Sequence, residues 1–221
     1  MSRPPIEKDF FCHVYNRGTD KRVIFDDTSD YQRFVLYLNV LNNKTVENPS
    51  RLDSYDHWEH IYEEKERLVS IIAFCLMPNH FHLLLHERTE GGISKFMQRL
   101  GIAYSLYFNE KNKRTGVLFQ GKYKYKIVDD EAYLFHLINY IHLNPKDLMQ
   151  TSGTLRQTLE FLPNYKWSSY NDFCKRENYS HLLQTEAANE FITIPTDYAR
   201  ELLALYDSNE VSDAIPRLLL D

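Results

Sequence analysis

A chain of 221 residues is long enough to bury a sizeable core, which suits one catalytic domain with appendages. Its three cysteines, Cys12, Cys75 and Cys174, lie far apart and form no Cys-x-x-Cys pair, so a disulfide framework and a cysteine zinc site are excluded and a reducing, cytoplasmic setting is expected. The formal net charge of −5 runs against a nucleic-acid-binding role only until its distribution is read, and no apolar run is long enough to span a bilayer or serve as a signal peptide, so no membrane partner is expected.

Two acidic segments carry all of that negative charge. Residues 177–221 hold nine Asp/Glu against two Arg, and residues 53–66 hold six against one Lys, which leaves the remainder of the chain at net +7. Within that remainder, residues 111–126 contain six Lys/Arg and no acid, interleaved with Phe119, Tyr123 and Tyr125. Such a stretch suits a phosphate backbone with bases stacked on rings, and a lysine-guarded edge hairpin satisfies the same pattern.

In chain order, the aromatic run Phe10-Phe-Cys-His-Val-Tyr15 predicts a strand that stops at the turn residues Asn16-Arg17-Gly18. Residues 26–30 then offer caps for a helix in which Phe34, Leu38 and Leu41 recur at helical spacing. The polar, acidic stretch at about 47–67 reads as an insertion. Residues 68–76 are almost uniformly apolar, break at Met77-Pro78-Asn79 and resume at 80–85, predicting a central hairpin. After Gly91-Gly92, the stripe Ile93, Phe96, Met97, Leu100, Tyr104 and Tyr107 predicts a second helix to about 111. A strand over 117–128 and a third helix over 132–143, ended by Asn144-Pro145, complete the order β, α, β, β, α, β, α. The expected fold is α+β: a ferredoxin-like sandwich of an antiparallel sheet with helices on one face. Residues 1–176 form the expected catalytic domain, with the acidic insertion inside it and residues 177–221 as an acidic, helical C-terminal extension.

Strand alternation places His80 and His82 on one face and Phe81 on the other, toward the core. Two neutral imidazoles converging on one point can hold a divalent metal and leave positions open for water and substrate, although a strand with two partly exposed histidines on its polar face looks the same. Tyr140 and Asn144 stand four residues apart on the third helix and share a face. A phenol ionises near pH 10, so its attack on phosphorus at neutral pH calls for a metal that polarises the phosphate. Among the 16 tyrosines, Tyr104 and Tyr107 belong to the apolar stripe and read as packing residues. Tyr140 is followed one turn later by an amide that a core position would not favour, while a buried tyrosine with a satisfied hydroxyl remains its plainer reading. His136 and His142 read as bystanders.

The blocks Phe11-Cys-His-Val-Tyr-Asn-Arg-Gly18, Leu76-Met-Pro-Asn-His-Phe-His-Leu-Leu-Leu85, Phe119-Gln-Gly-Lys-Tyr-Lys124, Tyr140-Ile-His-Leu-Asn-Pro145 and Trp167-Ser-Ser-Tyr170 resemble, in order, those of the REP-associated tyrosine transposases, single-tyrosine members of the His-hydrophobic-His nucleases. The resemblance spans residues 10–173. It implies a ferredoxin-like fold, a divalent metal (Mg2+ or Mn2+), and cleavage of single-stranded DNA near a short hairpin through a 5′-phosphotyrosine. It implies metal-ligand roles for His80 and His82, a supporting metal role for Asn144 and the nucleophile role for Tyr140. Together with the basic stretch it suggests Arg17, Lys113, Arg114, Gln120, Lys122, Tyr123, Lys124 and Lys126 as DNA contacts. The chain departs from the family's pattern at Lys146-Asp-Leu-Met149, in the acidic insertion and in the acidic extension, which lies outside the match. A non-catalytic single-stranded nucleic-acid-binding module is the competing reading. A nucleotide hydrolase built on alternating histidines is disfavoured because Leu84 stands where a third same-face histidine belongs. Monomer and homodimer are equally compatible with the sequence.

Overall fold

The computed structural model describes residues 10–45, 66–128, 130–149, 154–189 and 191–207. Most of the expected insertion at 47–67 and the last part of the acidic extension lie outside the described residues. The elements that build the fold are β1 (Phe11–Arg17), α1 (Thr28–Val40), β2 (Val69–Met77), β3 (His80–Glu87), α2 (Gly92–Lys111), β4 (Lys124–Val128) and α3 (Glu131–Leu143). Four shorter helices follow: α4 (Leu155–Phe161), α5 (Tyr170–Phe173), α6 (Glu186–Asn189) and α7 (Tyr198–Asp207).

The strands form one antiparallel sheet in the order β2-β3-β1-β4, the ferredoxin-like order expected from the sequence. Every residue of β2 is buried, as its unbroken apolar run predicts. The β2–β3 hairpin turns at Pro78 and Asn79, and its carbonyls bind the chain leaving β1: Gly18 N–H donates to Asn79 O (2.9 Å) and Ile24 N–H to Pro78 O (2.8 Å). A side chain at position 18 would put its Cβ 2.4 Å from the Arg22 carbonyl oxygen, so only glycine fits this crossing.

The alternation of the strands sends side chains into two separate cores. On one face, Cys12, Val14, Phe81, Leu83 and Leu85 pack against α1 and α2 through Phe34, Leu38, Phe96, Leu100 and Tyr104. Those two helices share one face, as the sandwich requires. Asp27 caps α1 in a capping box with Asp30, and Lys111 at the far end of α2 donates to both carboxylates (2.9 and 2.6 Å), clamping the two helices together. The opposite face, left bare in the expected sandwich, is covered as well: Phe11, Ala73, Cys75 and Leu84 pack against Leu137, Ile138 and Ile141 of α3 and against Tyr170, Phe173, Tyr198 and Leu202 beyond it. Helices therefore lie on both faces.

Part of the extension is integral to this second core. Ala188, Tyr198 and Leu202 are fully buried in it, Leu182 is buried in the first core, and Gln184 N–H donates to Ile71 O (2.9 Å) on the outer edge of β2. Trp167 and Ser169 bind the same edge, at Leu76 N–H and Phe74 O, so the strand's unpaired groups are covered. Behind α3 runs a buried chain of hydrogen bonds. Ser169 Oγ lies 2.8 Å from His142 Nε2, His142 Nδ1 lies 2.8 Å from the Tyr198 hydroxyl, and that hydroxyl donates to Asn139 Oδ1 at 2.7 Å. Because an amide oxygen only accepts, the Tyr198 proton is committed to Asn139, so His142 donates from Nδ1 and accepts from Ser169.

The last strand differs from expectation. A strand over 117–128 was predicted, and only Lys124–Val128 is strand. Residues 117–123 make a single bridge, Gly18 to Phe119, and Gly121 at φ +119° turns the chain out of the extended path. This loop bends over the end of β1 instead of pairing along it.

Candidate active site

The sheet face covered by α3 carries the chemistry. On β1, His13 and Tyr15 alternate with the core residues Cys12 and Val14, and on β3, His80 and His82 alternate with Phe81 and Leu83. Antiparallel pairing sets Tyr15 opposite His82 and Arg17 opposite His80, which brings four of these side chains to one end of the sheet. Across from them, α3 presents Tyr140. Its ring meets His82 edge-on at 5.5 Å between centroids and His13 at 6.1 Å.

Asn144, one turn on, is nearly buried, and its amide donates to the Tyr140 carbonyl oxygen at 2.9 Å. The same side chain lines one cavity with His80 and the Tyr140 phenol, and it favours the charged form of each. Together these groups line a cavity of about 260 Å³. Its cationic rim is Arg17, Lys122 and Lys124, with Gln120 beside them, and Asp147 from the turn after α3 supplies one carboxylate. The bent loop at 117–123 thus delivers Gln120 and Lys122 to the cavity. A continuous strand would have carried them along the sheet.

Burial keeps the histidines neutral. It holds His80 down at about 4, with the nearby Arg17 charge adding to the effect, and holds His13 at about 3, with Lys126 contributing. His82 is lowered further, by burial first and then by His13 and His80. The Tyr140 phenol is pushed above its ordinary value by burial, while Asn144 and Arg17 pull it back and Asp147 opposes them.

The donor set fits a divalent ion. His80 Nδ1 lies 2.6 Å from Asn79 Oδ1, an atom that only accepts, so the ring hydrogen sits on Nδ1 and Nε2 keeps its lone pair. His82 Nδ1 is also engaged, by His13 Nε2 at 2.9 Å, which leaves its Nε2 as the nitrogen available to a ligand. Among the described residues no group of three His, Cys, Asp or Glu is spaced to hold a metal; beside the two imidazoles the cavity offers the Asn144 amide oxygen and the Asp147 carboxylate.

Of the residues suggested by sequence, the structure brings together Arg17, His80, His82, Gln120, Lys122, Lys124, Tyr140 and Asn144. Four do not line this cavity. The Arg114 guanidinium is tied to Asn109 Oδ1 (2.5 Å) and Val117 O (3.1 Å), and Lys113 is its neighbour in the turn after α2. Tyr123 turns to Ser94, and Lys126 lies over the Tyr133 ring at 4.6 Å, beside His13. Tyr104 and Tyr107 sit on the opposite sheet face, Tyr104 fully buried with its hydroxyl on Ile24 O. Sequence reasoning missed His13, Tyr15, Asn16 and Asp147. The period-2 alternation of the first strand could have placed His13 and Tyr15, had its pairing with the histidine strand been known.

Fold and site together define a ferredoxin-like α+β protein with two histidines and a helix-borne tyrosine meeting in a cationic pocket. Residues 41–144, from the end of α1 to the first residue after α3, match the model of the transposase IS200-like family. Among solved structures, that of a REP-associated tyrosine transposase bound to a REP hairpin aligns over 83% of this chain and 90% of its own, at 10% identity and a TM-score of 0.48. No curated protein sequence matches the chain. No helix among the described residues is long and apolar enough to cross a membrane.

Proposed function

We propose that this protein is a metal-dependent endonuclease and strand transferase that acts on single-stranded DNA beside short hairpins, as a transposase does. The observation that carries the reading is the meeting of Tyr140, His80, His82 and Asn144 in one cavity rimmed by Arg17, Lys122 and Lys124. The match of residues 41–144 to the transposase IS200-like family supports the same reaction class.

Arg17, Lys122 and Lys124 hold the phosphates that flank the scissile bond and bring one of them to the cavity floor. Tyr140 Oη attacks that phosphorus in line and releases its proton to solvent, the bond to the 3′ sugar oxygen breaks and that oxygen takes up a proton to leave as a hydroxyl, and the 5′ phosphate remains on the tyrosine. Arg17 stabilises the phenolate as the proton leaves, offsetting the rise that burial imposes on Tyr140. Attack by a 3′ hydroxyl on the phosphotyrosine reverses the step, so rejoining requires no ATP. Bound by His80, His82 and Asn144, Mg2+ or Mn2+ would supply Lewis-acid polarisation of the scissile phosphate. The buried, unpaired thiols of Cys12 and Cys75 are compatible with work in a reducing cytoplasm.

The test is a labelled single-stranded hairpin library incubated with the protein and Mn2+, read as a denaturant-stable protein–DNA adduct. The wild type forms the adduct and Tyr140→Phe forms none. An adduct that persists in the Phe variant assigns the nucleophile to another tyrosine. Hairpin binding with no adduct in either protein replaces the enzyme with a binding module.

A further inference from the structure

We infer that His13 is a positioning residue: it accepts the Nδ1 hydrogen of His82 and thereby aims the Nε2 lone pair of His82 into the cavity. The inference deepens the proposed function and rests on its reading of His80 and His82 as metal ligands.

His13 is fully buried on β1, and its Nε2 lies 2.9 Å from His82 Nδ1, with ring centroids 5.1 Å apart and ring planes 22° from parallel, so the rings meet edge to edge. It does not line the cavity, so it stands behind His82 and supports it from the side away from substrate. Two arrangements of the shared hydrogen are possible. If His13 donates, His82 accepts at Nδ1 and must carry its own hydrogen on Nε2, which then presents a proton to the cavity and cannot ligate. If His82 donates, its Nε2 is free to ligate and the hydrogen of His13 resides on Nδ1, an atom with no protein partner among the described residues.

Only the second arrangement serves a metal ligand. It matches the neighbouring His80, whose Nδ1 hydrogen is held by Asn79 Oδ1, so the two ligands would have the same tautomer fixed by two different acceptors. The packing adds to the orientation. Tyr140 rests edge-on against both His13 and His82, so the hydrogen-bonded pair forms one wall against which the tyrosine ring is placed.

The experiment is a Mn2+ titration of the full chain followed by electron paramagnetic resonance, on wild type, His82→Ala, His13→Leu and His13→Gln. His13→Leu is expected to weaken Mn2+ binding about 10–100-fold, the usual cost of losing such an outer partner. His13→Gln, whose amide oxygen can take the same hydrogen, is expected to recover most of it. Nitrogen-15 NMR of the wild type loaded with Mg2+ should find the His82 hydrogen on Nδ1, and this readout and the Gln variant decide the matter if melting curves show that the Leu variant does not fold. Unchanged Mn2+ affinity in a folded His13→Leu, equal weakening in Leu and Gln, or a His82 hydrogen on Nε2 in the Mg2+ form overturns the inference. Loss of Mn2+ in His82→Ala but not in His13→Leu sinks the positioning role alone. Wild type that binds Mn2+ no better than His82→Ala sinks the metal-site reading and this inference with it.

Discussion

Tyr198→Phe removes one oxygen atom from the interior and leaves the ring in place, so its effect isolates the hydrogen-bond chain behind α3. The Tyr198 hydroxyl accepts from His142 Nδ1 at 2.8 Å and donates to Asn139 Oδ1 at 2.7 Å, and all three residues are buried. In the variant both buried partners lose that bond, and each buried orphan costs about 1–3 kcal/mol. The sum is roughly 2–6 kcal/mol, and a chain of this length loses about 2–4 °C of melting temperature per kcal/mol. Calorimetry should therefore show a drop of roughly 4–24 °C, and urea unfolding should show a lower midpoint with an unchanged m-value. A shift of less than about 2 °C would refute the claim that this chain anchors α3.

Asn144→Ala should slow Mn2+-dependent hairpin cleavage about 10–100-fold in single-turnover assays, because the amide serves both His80 and Tyr140; an unchanged rate would remove Asn144 from the site. Lys122→Ala and Lys124→Ala should each flatten the plot of log affinity against log salt for a single-stranded ligand by about 0.7, the release expected per phosphate contact. Arg156→Ala, exposed on α4 and paired with Glu160, should leave that slope alone. Stability should fall on acidification. The folded-state values of His13 and His142 are held at about 3 while the unfolded chain titrates near 6.5, so the unfolded state binds more protons as pH drops through that window. Each contributes stability that is complete above pH 6.5 and is lost toward pH 3, about 1 kcal/mol of it between pH 7 and 5.5. Equal urea midpoints at those two pH values would contradict it.

Much of this site is local in the chain and could be read there. His-x-His on a strand and Tyr-x-x-x-Asn on a helix are fixed by the periods of 2 and 3.6, so His80 with His82 and Tyr140 with Asn144 follow from spacing. Their meeting across the α3 face is tertiary, and only the resemblance to a known family pointed to it. His13 escaped notice because a single histidine inside an apolar strand looks like a satisfied core residue, and its partner lies 69 positions away. The loop before β4 was misread because residues 117–128 keep a β-favouring composition, while a lone glycine at 121 decides the path. The cover on the second sheet face was missed for another reason. Two of the helices that provide it beyond α3, α5 and α6, are too short to display a period.

The extension reads as an acidic appendage, yet its residue 198 reaches the back of the helix whose front carries the tyrosine. Asn139 and His142, the two groups it secures, flank position 140 on the same turn. An excision that kept only the family-matched block would leave Tyr140, the proposed nucleophile, on a helix with one side unsupported, and the proposed cleavage would lose precision before any DNA contact was lost. In this chain the distal tail and the helix that carries Tyr140 form one mechanical unit, and any engineered truncation must end beyond α7.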